Sequence, residues 1–188
     1  SDEKAHVLIM LDGADKTILE AQANEMISEL SPQSKVIIAT DKNEQDHLWL
    51  ARREISEALT SISKHKVSED VTLPPFKISE FMEKLSKLDS TSSYSFIGYG
   101  HLGDGNIHVN ILNNHEDEST WEKAKVSLID QVMNLGLSCG GTPTGEHGIG
   151  LTKKKYMSDY FSSHEIDVMR KIKAIFDPNG ILNTDKIF

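Results

Sequence analysis

Two stretches of this sequence combine histidine, carboxylate and glycine in a pattern that can do chemistry: GHLGDGNIH at 100–108 and TGEHGIG at 144–150. Asp104-Gly105 is a strong two-residue hairpin signal, because a type I′ turn needs positive φ at both central residues. With these two at the tip, Gly103 faces Asn106, Leu102 faces Ile107 and His101 faces His108. Directly opposed residues hold their Cβ atoms roughly 4.5–5.5 Å apart on one face, close enough for two imidazoles to share a metal ion. The period of two adds Tyr99 and Asn110 to the histidine face and turns Ile107, Val109 and Ile111 to the other. Two surface histidines on an ordinary hairpin are the alternative.

The second stretch adds a third ligand type and a base. Glu146 offers a carboxylate and His147 a group that titrates near neutral pH. Two histidines and a glutamate with open coordination positions make a usual catalytic metal site. Glycines 140, 141, 145, 148 and 150 let main chain approach a ligand closely; a plain flexible loop is the alternative. His6, His47, His65, His115 and His164 have no such company and read as surface or core residues. Lys153-Lys154-Lys155 reads as a solvated face, and Cys139 as a small buried hydrophobe.

These residues need elements to position them. HVLIMLDG (6–13) reads as a buried strand, 14–30 as an amphipathic helix, SKVIIAT (34–40) as a strand, and 43–62 as a second helix capped by Asn43. That strand–helix–strand–helix order is compatible with part of a ferredoxin-like unit. VSEDVTLPP (67–75) is extended, and its prolines exclude a central strand. A third helix over 77–88 precedes paired strands at 93–102 and 106–112. A fourth helix over 118–136 is expected to close with Gly136 at C′. A glycine-rich loop spans 137–151, and a fifth helix over 162–178 is capped by Ser162 or Ser163. One α+β domain over 1–188 is the simplest account, an antiparallel ferredoxin-like sheet with helices on one face.

Bulk properties narrow the function. The chain has 188 residues, enough for one core. Its net charge of −9 argues against a nucleic-acid partner, which would need a basic face. A single cysteine rules out an internal disulfide and makes a thiolate zinc site untenable, so any metal must use His, Asp or Glu. The longest apolar run, HVLIML, is too short for a transmembrane segment. SDEKAHVLIM has no basic stretch and reads as neither signal nor transit peptide. Without an initial Met, the sequence is expected to be part of a longer protein.

GYGHLGDGNIHVNI, GGTPTGEHGIGLTKKKYM and MRKIKAIFDPNGILNTDKIF, in this order, resemble the C-terminal part of the FAD-linked D-2-hydroxy-acid dehydrogenases. That family includes D-lactate dehydrogenases, the glycolate oxidase flavoprotein subunit and D-2-hydroxyglutarate dehydrogenases. The resemblance runs from HVLIMLDG to the C-terminus. It implies a cap domain that covers the isoalloxazine ring and holds substrate, while a separate N-terminal domain binds most of the FAD. Alone, such a cap should not turn over. The resemblance further implies a divalent metal, zinc, on His101, His108 and Glu146, and His147 as the base that takes the substrate hydroxyl proton. Asn110 would contact substrate beside the metal. Arg52 would grip the substrate carboxylate with its planar fork, with Ser56 one turn on. Asn183 would reach the flavin. The implied reaction moves a hydride from C2 of a D-2-hydroxy acid to FAD, and electrons pass on to an acceptor that the sequence does not name.

One position departs from the pattern. Hydroxyglutarate relatives carry a Lys before the Leu-Pro, where this chain has Ser68; Lys66 lies two residues earlier and shares its parity. The GGTPTGEHGIG wording is closer to lactate and glycolate members, and GHLGDGNIHVN to hydroxyglutarate members. D-lactate or a glycolate-like acid is the expected substrate, with D-2-hydroxyglutarate as the alternative. A self-contained metal-dependent hydrolase and a non-catalytic metal-binding module are the competing classes.

Overall fold

Val67, Glu69 and Val71 alternate with Ser68, Asp70 and Thr72, and this period of two forms strand β1, Lys66–Thr72, in the computed structural model. The structure describes residues 5–114 and 117–188; His115 lies outside them. The chain divides into two compact units, one up to Ala58 and one from Leu59 to Phe188.

In the second unit, Pro74 and Pro75 end β1, and helix α4 follows at Ile78–Thr91. Strands β2, Tyr94–His101, and β3, Asn106–Asn113, form the hairpin, and helix α5 runs from Glu118 to Ser138. The sheet order is β1-β3-β2, with both pairs antiparallel. The proline-bounded strand therefore lies at an edge, as its sequence requires. A single bridge between Thr72 and Thr142 marks where the chain returns beside β1 after α5. This βαββα run is the ferredoxin-like part of the molecule, and the expected α+β class holds.

One face of the sheet is apolar. Val71, Phe96, Ile107, Val109 and Ile111 pack there against Phe81 and Leu85 of α4 and Leu128, Val132 and Met133 of α5. Each such side chain contributes about 1.5–3 kcal/mol on leaving water. Both helices cover this one face: Gly98 of β2 lies under Met82, and Gly136 of α5 lies over Val71. The opposite face carries Ser68, Asp70, Thr72, Asn106, His108, Asn110, Tyr99 and His101.

Gly136 is not the helix terminator expected of it. The helix continues to Ser138, and Gly140, at φ +77°, takes the C′ position. Gly140 N–H donates to Leu137 O and Gly141 N–H to Gly136 O, the Schellman pattern. Gly136 is instead a close-packing residue: a Cβ there would lie 2.4 Å from Val71 Cγ1. After the loop come helices α6, Met157–Tyr160, and α7, Ser163–Phe176. Ser162 and Glu165 form a capping box at the start of α7, and Pro178 lies just past its end.

The first unit departs from its expected form. Helix α1, Lys16–Ser28, is capped by Asp15, and helix α2, Lys42–Arg53, by Asp41 rather than Asn43. The expected single helix over 43–62 steps at Glu54, and α3 spans Ile55–Ile62. Segments 6–13 and 34–40 belong to no sheet. They are also exposed, with Val7 at 65% and Ile37 at 79%. Their β-branched, apolar composition favours a pleated, half-buried setting, but propensity makes a strand only where a ladder and a covering layer exist. The ferredoxin-like unit accordingly comes from Lys66 onward, not from the first sixty residues.

Candidate functional site

The hairpin sets the site's first half. Only Gly105 in the turn has positive φ, +76°, so a type I′ turn is not made. The loop takes four residues, Leu102–Gly105, and the register shifts by two: His101 pairs with Asn106, and Tyr99 with His108. The expected direct His101–His108 pairing is thereby corrected to a diagonal one. Gly105 is required where it stands, because a Cβ would come within 1.9 Å of Leu73 O, the neighbour whose N–H donates to Gly105 O. His101 turns its Nδ1 toward Asp104, 3.8 Å away, and its side chain is 58% exposed.

His108 points into the second glycine segment. Its Nε2 lies 3.1 Å from Glu146 Oε1, and its ring stacks on His147 with centroids 5.4 Å apart. Tyr99 flanks it on the other side at 5.7 Å. Burial pushes the His108 imidazole below its ordinary pKa, against the pull of Glu146, and so favours the neutral ring that ligates metals. Single ligand atoms of His108, Glu146 and His147 all lie within 4.8 Å of one another. Two imidazoles and a carboxylate at that separation fit a divalent cation of the zinc type.

What holds Glu146 and His147 there is a residue the sequence did not advertise. Asp70, in β1 and fully buried, accepts at Oδ2 from the main-chain N–H groups of Gly145 (2.7 Å), Glu146 (2.8 Å) and His147 (3.1 Å). Thr144 Oγ1 adds a fourth donor at 3.1 Å. Successive N–H groups around one anion form a nest. Asp70 Oδ1 takes the Lys153 ammonium and lies 3.3 Å from His147 Nδ1. Burial would raise the Asp70 pKa, but Lys153 and the three N–H groups outweigh it and hold the carboxylate well below its usual range. Lys153 also approaches Glu69, 3.5 Å away, whose own pKa burial pushes up. Lys153 is 4% exposed, which corrects the reading of 153–155 as a solvated face. Parity was the available signal: Asp70 shares the histidine face, in register with His108.

The loop approaches closely at Gly145, where a Cβ would meet Thr72 Oγ1 at 2.4 Å and Asn106 Oδ1 at 2.6 Å. Next along the face, Asn110 is fully buried, and neither amide atom has a hydrogen-bond partner among the described residues.

A domain model described as "FAD linked oxidases, C-terminal domain" matches residues 1–187. The chain belongs to this family. The FAD linked oxidase domain is 34% identical over 186 residues to a D-lactate dehydrogenase of Archaeoglobus fulgidus. It is 30% identical over 186 residues to the glycolate oxidase subunit GlcD of Bacillus subtilis. It is 30% identical over 155 residues to a D-2-hydroxyglutarate dehydrogenase of Stutzerimonas stutzeri. These alignments cover 98%, 98% and 81% of the chain respectively. The domain spans 39%, 39% and 33% of these relatives' own lengths. No helix among its described residues is long and apolar enough to cross a membrane.

The remaining candidates of this FAD linked oxidase domain sit as follows. Lys66 and Ser68 share the polar face through their pairing with Leu112 and Asn110. Arg52 lies in α2 and Ser56 in α3, on either side of the step at Glu54, so they are not one turn apart on a single helix as expected. Asn183 has φ +47° in the C-terminal segment and accepts from Lys186 N–H. His6, His47 and His164 are exposed and His65 half-buried. Cys139 is buried in the core, as expected.

Proposed function

We propose that this domain is the substrate-binding cap of a flavoenzyme that oxidises a D-2-hydroxy acid to the 2-oxo acid. The observation that carries the reading is the convergence of His108, Glu146 and His147 on the polar face of the sheet. It adds chemistry to a family membership that implies FAD. When bound, FAD supplies the hydride acceptor, and a divalent metal, zinc by donor type, supplies Lewis-acid polarisation of the C2 oxygen. His108 and Glu146 hold that metal, with His101 as third ligand.

His147 takes the substrate hydroxyl proton at Nε2, which faces Glu146 at 3.9 Å while Nδ1 faces Asp70. Asn110 offers both a donor and an acceptor to substrate. Arg52 binds the substrate carboxylate, Ser56 is a further substrate-binding residue and Asn183 reaches the flavin, on the resemblance alone. D-lactate or a glycolate-like acid is the favoured substrate, supported by the higher identity to relatives named D-lactate dehydrogenase, 34% and 31%, than to those named D-2-hydroxyglutarate dehydrogenase, 30% and 29%. D-2-hydroxyglutarate is the alternative; Lys66 on the polar face supports it as a partner for a second carboxylate. The partners are the separate FAD-binding domain and an electron acceptor of unassigned identity.

A second reading of the metal shell is favoured by one observation: His147, not His101, shares the ligand cluster. Metal content of the full-length flavoprotein separates the two. His101→Ala loses metal and His147→Ala keeps it in the first, and the reverse holds in the second. Anaerobic mixing with D-lactate, glycolate and D-2-hydroxyglutarate tests the function itself. Bleaching of the flavin absorbance is expected with at least one, and bleaching with none refutes the assignment.

A further inference from the structure

We propose that Asp70 is a positioning residue that fixes His147 as the Nδ1–H tautomer and so presents Nε2, with its lone pair free, toward His108 and Glu146. This rests on the reading of His147 as acting through Nε2, whether as base or as ligand.

A neutral imidazole has one donor and one acceptor nitrogen, and a carboxylate only accepts. Whichever ring nitrogen faces the better-placed carboxylate therefore carries the proton. Two carboxylates compete. Glu146 Oε1 is 3.9 Å from Nε2, already faces His108 Nε2 at 3.1 Å, and has a half-exposed side chain. Asp70 Oδ1 is 3.3 Å from Nδ1 on a side chain with no exposure, gripped by Thr144, Lys153 and three main-chain N–H groups. Asp70 is nearer and fixed.

It also binds the same residue twice. Oδ2 accepts from the His147 main-chain N–H at 3.1 Å while Oδ1 faces its ring, so one carboxylate sets both backbone and imidazole. Carboxylates behind histidines fix the tautomer and orientation of ligand and base rings in this way. Lys153 Nζ completes the device, binding Asp70 Oδ1 and, at 3.0 Å, the Asp70 carbonyl, which prevents the carboxylate from rotating.

Substituting asparagine for Asp70 makes the test sharp. The side-chain oxygen must stay opposite the three N–H groups, which leaves the NH₂ facing His147 Nδ1 and Lys153. Lys153→Met removes the ammonium that would then oppose it. The experiment is a long-range ¹H–¹⁵N correlation of histidine side chains in the full-length, FAD-loaded protein stripped of metal. It is recorded at a pH where imidazoles are neutral, with His147 assigned by its loss in His147→Gln. The expected wild-type result is a proton on Nδ1. In Asp70→Asn/Lys153→Met the proton moves to Nε2, and after metal is restored kcat falls by roughly 10²-fold or more with KM little changed. A wild-type His147 protonated on Nε2 overturns the proposal, and so does a folded double variant that keeps Nδ1–H. If the double variant does not fold, the wild-type tautomer decides. The tautomer is read without turnover, so failure of the assigned reaction and failure of this inference give different results.

Discussion

Lys153 and its neighbours show how unequal three consecutive lysines can be. Lys153 is buried against Asp70 and Glu69, Lys154 reaches the Asp185 carbonyl from the surface, and Lys155 pairs with Asp130. Removing one member of a buried pair leaves the other charge uncompensated and costs about 3–5 kcal/mol, whereas an exposed contact costs less than about 1 kcal/mol. Urea denaturation should therefore show a large loss for Lys153→Met and a small one for Lys154→Met; equal losses would contradict the burial assigned to Lys153. A second residue-scale prediction concerns acid. Lys155 and the Tyr156 hydroxyl hold the Asp130 carboxyl below its usual range. A carboxyl depressed on folding contributes stability above its unfolded pKa of about 3.9, and that contribution is lost as pH falls through the folded value. Between pH 5 and pH 2, Asp130→Asn should thus lose less stability than wild type. A parallel fall in both would remove Asp130 from the acid response.

At the scale of elements, Gly136 joins α5 to β1. Alanine there gains about 1 kcal/mol of helix propensity but forces a Cβ to within 2.4 Å of Val71 Cγ1. Overpacking of that kind costs about 1–3 kcal/mol, so Gly136→Ala should destabilise, and Val71→Ala in the same chain should recover part of the loss. A purely additive double mutant would refute the contact. The same elements show what sequence can reveal. Glycine alone does not say whether it ends a helix or lets a strand come near, and Gly136 and Gly140 are four residues apart with these opposite roles. The Asp-Gly signal puts the hairpin two residues out of register and still assigns its faces correctly, because a slip of two residues keeps parity, whereas a slip of one inverts it. Tyr99, His101, His108 and Asn110 therefore share a face in either register, and what changes is the partner each one meets: His108 faces Tyr99 instead of His101. The role of Asp70 depends on a loop more than seventy residues away, and no local pattern in the sequence records that contact.

For the whole molecule, apolar composition is distributed differently from burial. Val7, Met10, Ile37 and Ile38 are as hydrophobic as any core strand, yet they are exposed, and neither α1 nor α2 contains a buried residue. The second unit holds every member of the core cluster. Local opening is easiest where few apolar contacts must be broken, and hardest in elements whose opening dismantles the core. Amide hydrogen exchange should therefore separate the two units. The amides of α1 and α2 should exchange through low-cost local openings, while those of central strand β3 and of the buried face of α5 should be protected nearly to the global stability. Lys153→Met, which loosens the sheet's tie to the 144–147 loop, should speed exchange at Gly145, Glu146 and His147 and leave α1 and α2 unchanged, because its contacts to Asp70 and Glu69 lie wholly in the second unit. Exchange in α1 as slow as in β3 would show that the first unit draws its stability from the same cooperative core.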